Sequence, residues 1–149
     1  MRAVLHTDGG ARGNPGPAGI GVVLEDAGGN ALGEIARGIG VATNNVAEYK
    51  ALIAGLELAL ASGVSEVEVL VDSELVASQI RGDWKIKNDT LRALAVRARA
   101  LMSRFESASI ANVPRSSNAD ADKLANQGMD AAMLDAEAGP LWEKPTLLE

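Results

Sequence analysis

The chain has 149 residues, a formal net charge of −6 and no cysteine. Its length fits one domain with a sizeable core, and its hydrophobic content of 47% is typical of a globular protein rather than a disordered one. No apolar run approaches the ~18 residues of a membrane-spanning helix, and the polar His6 interrupts the N-terminal apolar run, which argues against a secretory signal. The lack of cysteine excludes disulfides and thiolate metal sites in this sequence and fits a cytoplasmic protein. The acidic balance argues against a broad basic face for nucleic acid, although metal ions could bridge carboxylates to phosphate oxygens.

The first half of the chain predicts three strands and a helix. Short apolar runs separated by turns predict a three-stranded meander at residues 2–7, 20–24 and 31–41. Thr43-Asn44-Asn45 is typical of a helix start, and leucines at helical spacing predict a helix over residues 46–61.

The second half predicts two further strands between helices. The strands are expected at residues 67–71 and 108–113, and the helices at 74–81, 90–105 and about 119–134. A meander followed by β-α-β units favours a mixed α/β domain, in which helices cover the faces of one sheet. We therefore expect one domain at residues 1–134, without repeats or a linker, and a C-terminal tail at residues 135–149.

Two acids are expected at the carboxyl ends of strands. Asp8 is predicted to end the first strand, before a glycine-rich loop, and Asp72 follows the fourth strand directly. Ligands of such sheets gather at this edge, and a carboxylate beside exposed loop amides suits a metal ion and a phosphodiester. An ordinary hairpin loop with a capping aspartate is the alternative for the Asp8 segment.

Four motifs carry acids and amides in a fixed order. They are Asp8-Gly9-Gly10-x-x-Gly13-Asn14-Pro15-Gly16-Pro17, Thr43-Asn44-Asn45-x-x-Glu48, Val71-Asp72-Ser73 and Asn118-x-x-Ala121-Asp122-x-Leu124-Ala125-Asn126. In this order and spacing they resemble type 1 ribonuclease H, and the match covers about residues 2–134. The resemblance implies an RNase H-like fold, with a five-stranded mixed sheet of order 3-2-1-4-5 flanked by helices.

The resemblance also implies an activity, which is hydrolysis of the RNA strand of RNA–DNA hybrids by two-metal-ion catalysis, leaving 5′-phosphate and 3′-hydroxyl ends. By motif position, the catalytic metal ligands would be Asp8, Glu48, Asp72 and Asp122. Clustered carboxylates repel one another unless cations neutralise them, and oxygen ligands suit two ions of Mg²⁺ or Mn²⁺. The alternative for these acids is the usual one of helix caps and surface charge. Asp120 also falls near this site in the sequence.

The loop before the last helix lacks the histidine that many family members carry there. Arg115, seven residues before Asp122, resembles the arginine that some relatives use instead. A guanidinium keeps its positive charge, so Arg115 could neutralise the scissile phosphate or leaving group but could not accept a proton. An ion pair with a surface acid is the alternative. His6, the one histidine of the sequence, is expected on a sheet face rather than to act as a general base.

Substrate contacts are implied at the glycine-rich loop and at the start of the first and second helices. In relatives these segments approach the minor groove, where 2′-hydroxyls mark the RNA strand. The implied residues are Gly10, Asn14, Thr43, Asn44, Asn45 and Glu74. Thr43 could also cap its helix, and Glu74 stands where relatives often have glutamine, so it can accept a hydrogen bond but not donate one. The short connector at residues 82–88 replaces the family's basic protrusion, which predicts modest hybrid affinity with a shallow salt dependence.

The predicted partner is therefore an RNA–DNA hybrid, with double-stranded RNA as a further substrate to test, and the protein is expected to be a cytoplasmic monomer. Two alternatives stay open. A non-catalytic nucleic-acid-binding module would be signalled by loss of one of the four acids, and all four are present. Another nuclease of the RNase H-like superfamily is the second alternative, against which the signatures at residues 9–14 and 43–45 favour the hybrid-cleaving branch.

Overall fold

A computed structural model describes residues 1–138 of the protein. The strands are β1 (Arg2–Ala11), β2 (Gly16–Asp26), β3 (Ala31–Ala42), β4 (Glu66–Val71) and β5 (Ser107–Asn112). The helices are α1 (Asn44–Ala61), α2 (Glu74–Arg81), α3 (Asp89–Met102) and α4 (Ala119–Ala138), with a 3₁₀ turn (Arg115–Asn118) directly before α4. This succession confirms the predicted mixed α/β domain.

The five strands form one sheet in the order β3-β2-β1-β4-β5, which confirms the order implied by the family resemblance. β1 pairs antiparallel with β2 and parallel with β4, and β4 pairs parallel with β5. β1 therefore lies at the centre of the sheet, and its carboxyl end is the place where the antiparallel and parallel halves meet.

The two faces of the sheet are covered differently. On one face, the side chains of Leu5 and Thr7 in β1 pack so closely against Gly55 of α1 that a β-carbon there would lie within 3.0 Å of both. The main apolar core fills the space between this face and α1, α2 and α3. Because side chains alternate along a strand, His6 and Asp8 lie on the opposite face. There α4 crosses β2, and it comes so close that a β-carbon at Gly19 or Gly21 would overlap its backbone.

Two strands are longer than the sequence predicts, and the expectation that Asp8 ends the first strand is wrong. β1 runs on to Ala11, and β2 begins at Gly16. Pairing of β1 with β4 stops at Thr7↔Val71, whereas its pairing with β2 continues to Ala11↔Ala18. Asp8 is therefore the first residue of β1 beyond its parallel pairing with β4, but it still pairs with β2.

Two helices also differ from their predicted ends. α3 stops at Met102, and the buried Phe105 packs on the core from the turn that follows. α4 continues to Ala138, so the predicted boundary between residues 134 and 135 falls inside this helix. The rest of the predicted tail, residues 139–149, lies outside the described residues. Between residues 1 and 138, no helix is both long and apolar enough to cross a membrane.

Candidate active site

Three carboxylates from distant parts of the chain meet at the carboxyl end of β1. Asp8 lies in β1, Glu48 lies in the second turn of α1, and Asp72 directly follows β4. Each offers an oxygen atom, and these atoms all lie within 4.8 Å of one another. Asp8 and Glu48 are almost wholly buried, and the side chain of Asp72 is 12% exposed.

Gly9 allows this approach between β1 and α1. A β-carbon at position 9 would overlap the carbonyl of Ala47, so only glycine lets the start of α1 come this close. The N–H of Gly9 donates hydrogen bonds to Oδ1 of Asp8 and to Oε1 of Glu48, both at 3.0 Å. One backbone amide therefore orients two of the three acids.

Burial and mutual repulsion make these acids difficult to ionise together. Burial, helped by the charges of Asp72 and Asp122, raises the pKa of Asp8 to about 6, against the opposing effect of a hydrogen bond shared with Glu48. Burial and the neighbouring Asp8 raise the pKa of Glu48 well above its usual range, although the Gly9 amide favours the charged form. Such a cluster is stabilised by a bound cation.

Asp122 and Arg115 lie beside these three carboxylates. Asp122, near the start of α4, is close enough to Asp8 to raise the pKa of that carboxyl. Arg115 lies between two acids, with Nε 3.8 Å from Oδ2 of Asp72 and Nη2 3.5 Å from Oδ1 of Asp122. Its side chain is 78% exposed, so the guanidinium faces solvent while it partly neutralises the acids.

The residues present fit a divalent cation. All donors are carboxylate oxygens, which is the ligand set that Mg²⁺ and Mn²⁺ prefer. Oδ2 of Asp72 is buried and has no hydrogen-bond partner among residues 1–138, so it keeps lone pairs for a metal ion. The structure thus provides an acidic triad with Asp122 beside it.

Two of the six implied substrate residues, Gly10 and Asn44, line the open side of this triad. A cleft of about 360 Å³ is lined by Gly10, Asn44 and Arg115 together with Glu48 and Asp72. Asn14 and Asn44 are exposed, and each uses its side-chain oxygen within the protein. Oδ1 of Asn14 accepts a hydrogen bond from the Asn44 amide at 3.0 Å, and Oδ1 of Asn44 accepts one from the Ala11 amide at 2.8 Å.

The other three implied residues occupy helix starts. Thr43 is the N-cap of α1, and its hydroxyl accepts a hydrogen bond from the amide of Val46 at 3.2 Å. Asn45 is exposed in the first turn of α1, and Glu74 is exposed as the first residue of α2. None of these three residues, nor Asn14, is among the residues that line the cleft.

Two titratable residues near the motifs do not join the acids. His6 lies 3.9 Å from Glu25, on the sheet face that α4 covers. Asp120, which falls close to the metal ligands in the sequence, instead lines a separate cleft of about 270 Å³ together with His6 and Glu25. Because Asp120 and Asp122 are two residues apart on a helix, they project in different directions.

Two residues of this region have no assigned role in the sequence reading. Ser73 follows Asp72, caps α2 by accepting a hydrogen bond from the Val76 amide, and lines the cleft. Its place in the third motif is the signal that could have identified it. Arg12 pairs with Asp130 and donates to Asn126 in α4, which fastens the β1–β2 hairpin to that helix. Local sequence patterns cannot predict this contact, because Arg12 and its partners are more than 110 residues apart in the chain.

Comparisons with known proteins agree with this geometry. A family profile described as "Reverse transcriptase-like" matches residues 6–128. The chain is 47% identical over 131 residues to the ribonuclease HI of Halobacterium salinarum, covering 88% of this chain and 66% of that protein. The crystal structure of RNase H1 from that archaeon superposes with a TM-score of 0.86 at 46% identity, covering 89% of this chain and 100% of that one. The chain belongs to the type 1 ribonuclease H family.

Two further members of the family are similar over most of this chain. The N-terminal RNase H domain of the Mycobacterium tuberculosis protein Rv2228c has a TM-score of 0.89 and 50% identity, covering 91% of this chain and 99% of that domain. LC11-RNase H1, isolated from compost, has been solved in complex with an RNA/DNA hybrid and has a TM-score of 0.83 at 44% identity, covering 88% of this chain and 99% of that one. The whole mycobacterial protein is named bifunctional protein Rv2228c, and the chain spans 38% of its length.

Proposed function

We propose that the protein is an endoribonuclease that hydrolyses the RNA strand of RNA–DNA hybrids with the help of divalent metal ions. The observation that carries this proposal is the convergence of Asp8, Glu48 and Asp72, whose oxygens lie within 4.8 Å of one another beside an open cleft. Membership of the ribonuclease H family supports it, as does the complex of one relative with an RNA/DNA hybrid.

Each residue of the site has a proposed task. Asp8, Glu48, Asp72 and Asp122 would hold two ions of Mg²⁺ or Mn²⁺. When bound, such a pair supplies the positive charge that activates the attacking water and stabilises the leaving oxygen. Arg115 would contact the scissile phosphate or the leaving group, because its guanidinium is exposed at the rim of the acids and keeps its charge. Cleavage of the bond between phosphorus and O3′ would leave 5′-phosphate and 3′-hydroxyl ends.

The surrounding polar residues would recognise the hybrid through its minor groove, where the 2′-hydroxyls distinguish RNA from DNA. Six residues are proposed for this contact, namely Gly10, Asn14, Thr43, Asn44, Asn45 and Glu74. Double-stranded RNA offers the same hydroxyls on both strands, so it is proposed as a second substrate to test. We place this activity in the cytoplasm and expect a monomer, which cell fractionation and size-exclusion chromatography would test.

A cleavage assay tests the proposal directly. A labelled hybrid, a DNA duplex and an RNA duplex are each incubated with Mg²⁺, Mn²⁺ or EDTA. We expect the hybrid to be cut with a metal ion but not in EDTA, and the DNA duplex to stay intact. Asp8→Asn should abolish cleavage, while Asp135→Asn, the same change at an exposed position of α4, should not.

Two results would contradict the proposal. If the hybrid stayed intact with both Mg²⁺ and Mn²⁺, the protein would not be a ribonuclease H. If Asp8→Asn kept full activity, the active site would not include Asp8. Cleavage of the RNA duplex would extend the substrate range without affecting the main proposal.

A further inference from the structure

The proposed function gives no role to Asn118, although this residue belongs to the last motif. Asn118 ends the 3₁₀ turn before α4, and the residue is only 1% exposed. Its side-chain amide donates a buried hydrogen bond of 3.0 Å to the carbonyl oxygen of Thr7. Buried polar atoms are costly unless they are bonded, and this contact satisfies the side-chain nitrogen of Asn118. Its Oδ1 is also buried and has no partner among residues 1–138, so the bond to Thr7 is the one side-chain hydrogen bond that Asn118 makes there.

The acceptor lies at a critical point of β1. Thr7 is the last residue of β1 that pairs with β4, and Asp8 follows it directly. The bond therefore joins the backbone just before the first acid to a segment 111 residues later in the chain. That segment is the turn that carries Arg115, three residues before Asn118.

The turn has few other fixed contacts with the acids. Arg115 is 78% exposed, and its ion pairs with Asp72 and Asp122 are long, at 3.8 and 3.5 Å. Exposed ion pairs of this kind contribute little to holding a side chain in place. By contrast, α4 itself is held against β2 by its close backbone approach to Gly19 and Gly21. The bond from Asn118 therefore matters most for the turn rather than for the helix.

We propose that Asn118 is a positioning residue, which fixes the turn bearing Arg115 against β1 so that the guanidinium stays beside the acids. This inference rests on the proposed function, because it assigns Asn118 an effect on turnover that acts through Arg115. The bond requires a donor at position 118. The Thr7 carbonyl only accepts, so the side chain at position 118 has to donate.

The test compares Asn118→Asp and Asn118→Ala with the wild-type chain, alone and combined with Arg115→Ala. Asn118→Asp keeps the shape but turns an acceptor oxygen towards the Thr7 carbonyl, and Asn118→Ala removes the contact. Ser117→Ala, a change at the exposed neighbouring position, is the matched control. Both kcat and KM are measured on a labelled hybrid, Mn²⁺ affinity is measured by calorimetry, and urea unfolding ensures that only folded protein is compared.

We expect each Asn118 variant to lower kcat roughly 10- to 100-fold, which is the size of effect that a small misplacement produces. KM and Mn²⁺ affinity should change by less than about threefold, and adding Arg115→Ala should cause little further loss, because residues that act as a unit are not additive. Unchanged kcat, or losses that multiply in the double variants, would overturn the inference. Inactive wild-type protein would instead overturn the proposed function, and this inference with it.

A measurement on the wild-type chain keeps the test decisive if the variants do not fold. The side-chain amide protons of Asn118 should exchange slowly with solvent in NMR spectra, because they are buried and one of them is bonded to Thr7. Rapid exchange would show that the bond is not maintained, and Asn118 could not then position the turn.

Discussion

At the scale of single residues, Arg115 shows how two interpretations can describe one position. The sequence offers a phosphate contact or an ion pair with a surface acid, and the structure places the guanidinium beside Asp72 and Asp122, which are themselves proposed metal ligands. The ion pair therefore lies at the site and not away from it. An arginine at this point can balance the acids and then meet a phosphate that binds near them.

We expect Arg115→Ala to lower kcat on a labelled hybrid by more than about tenfold, because a fixed positive charge near the reacting phosphate is removed. Mn²⁺ affinity, measured by calorimetry, should be kept or increased, since a cation that competes for Asp72 and Asp122 is lost. Arg92→Ala, an exposed arginine on α3 paired with Asp89, is the matched control for the change in charge. A kcat equal to that of the wild type would remove Arg115 from the mechanism.

Asn44, which lines the cleft, and Asn14, which bonds to its backbone, each have the side-chain oxygen occupied. Because Oδ1 of Asn14 and Oδ1 of Asn44 accept backbone hydrogen bonds within the protein, their Nδ2 groups are the atoms available to a substrate. These residues would therefore act as donors to acceptors in the minor groove, such as the oxygen of a 2′-hydroxyl.

Asn44→Asp tests this polarity, because a carboxylate still accepts from the Ala11 amide but has no N–H to donate. An acid in the first turn of α1 is also favourable for the helix, so unfolding in urea should show unchanged or higher stability. KM for the hybrid should rise severalfold. Asn44→Ala should raise KM as well but also lose roughly 1 kcal/mol of stability with the Ala11 bond. An unaltered KM in both variants would contradict the donor role.

At the scale of elements, the position of Asp122 relative to Asp8 depends on how closely α4 lies on β2. Gly21 pairs with Asp8 across the β1–β2 ladder, and a β-carbon at Gly21 would overlap the carbonyl oxygen of Ala121, the residue before Asp122. A backbone-to-backbone contact of this kind has no flexible side chain that could move aside.

Gly21→Ala should therefore displace α4 and separate the two acids. We expect a loss of roughly 1–3 kcal/mol in the free energy of unfolding, as for other overpacked sites, and a weaker affinity for Mn²⁺. Gly28→Ala is the control, because position 28 lies in an exposed turn where a β-carbon meets nothing closer than 3.4 Å. Retained stability and Mn²⁺ affinity in Gly21→Ala would show that α4 can shift without affecting the site.

The sequence predicts most elements but not all their ends, and the reasons are physical. Leucines at 52, 56 and 60 set the period of α1, and the β-branched run before Asp72 sets β4, so both follow from local pattern. The extension of β1 through Gly9 and Gly10 does not, because glycine has a low strand propensity and pairing with β2 supplies the order. Phe105 continues the helical spacing of α3 but packs from a turn, where tertiary contact overrides pattern.

The candidate site also has features that the sequence predicts and features that only the fold shows. Motif order identifies the family and with it the acids, but spacing along the chain cannot show that Glu48 approaches Asp8 through a glycine with no room for a β-carbon. Contacts between remote segments are also invisible in the sequence. The bonds of Asn118 to Thr7 and of Arg12 to α4 become apparent only when the fold brings these segments together.

At the scale of the whole molecule, the acid cluster makes stability depend on pH. A carboxyl whose pKa is higher in the folded than in the unfolded chain stabilises the fold at low pH, and this contribution is lost as pH rises through the folded-state pKa. Burial, helped by the neighbouring acids, raises the pKa of Asp8 to about 6 and raises the pKa of Glu48 well above its usual range. The cluster therefore opposes folding near neutral pH unless a cation binds.

We expect Asp8→Asn to be more stable than the wild type in EDTA at pH 7, by on the order of 1–3 kcal/mol, and the difference to shrink between pH 7 and pH 5. Urea unfolding of both proteins between pH 5 and pH 7 gives the difference in their free energies of unfolding. Groups that titrate alike in both proteins do not contribute to this difference. Saturating Mg²⁺ should reverse the order, since it binds the folded wild type. A difference that does not vary with pH would show that Asp8 ionises normally.

The charge of the whole chain limits how it can hold a polyanion. The net charge is −6, and the connector between α2 and α3, residues 82–88, carries only Lys85 and Lys87 in place of a basic protrusion. Each phosphate that a cation neutralises adds about 0.9 to the slope of log affinity against log salt. Among the described residues that line the cleft, Arg115 alone is basic, so recognition should depend on hydrogen bonds in the groove and on bound metal ions.

Hybrid binding by the inactive variant Asp8→Asn, followed by fluorescence anisotropy at roughly 50–200 mM salt, should therefore give a slope shallower than about −5. Replacing both Lys85 and Lys87 with alanine should reduce the slope by about 1–2, because each lysine accounts for at most one phosphate. Arg104→Ala, at an exposed position of the turn that follows α3, should leave the slope unchanged. A slope steeper than about −5 would require a larger basic surface than Arg115 and these two lysines provide, and substrate recognition would then be mainly electrostatic rather than based on the 2′-hydroxyls.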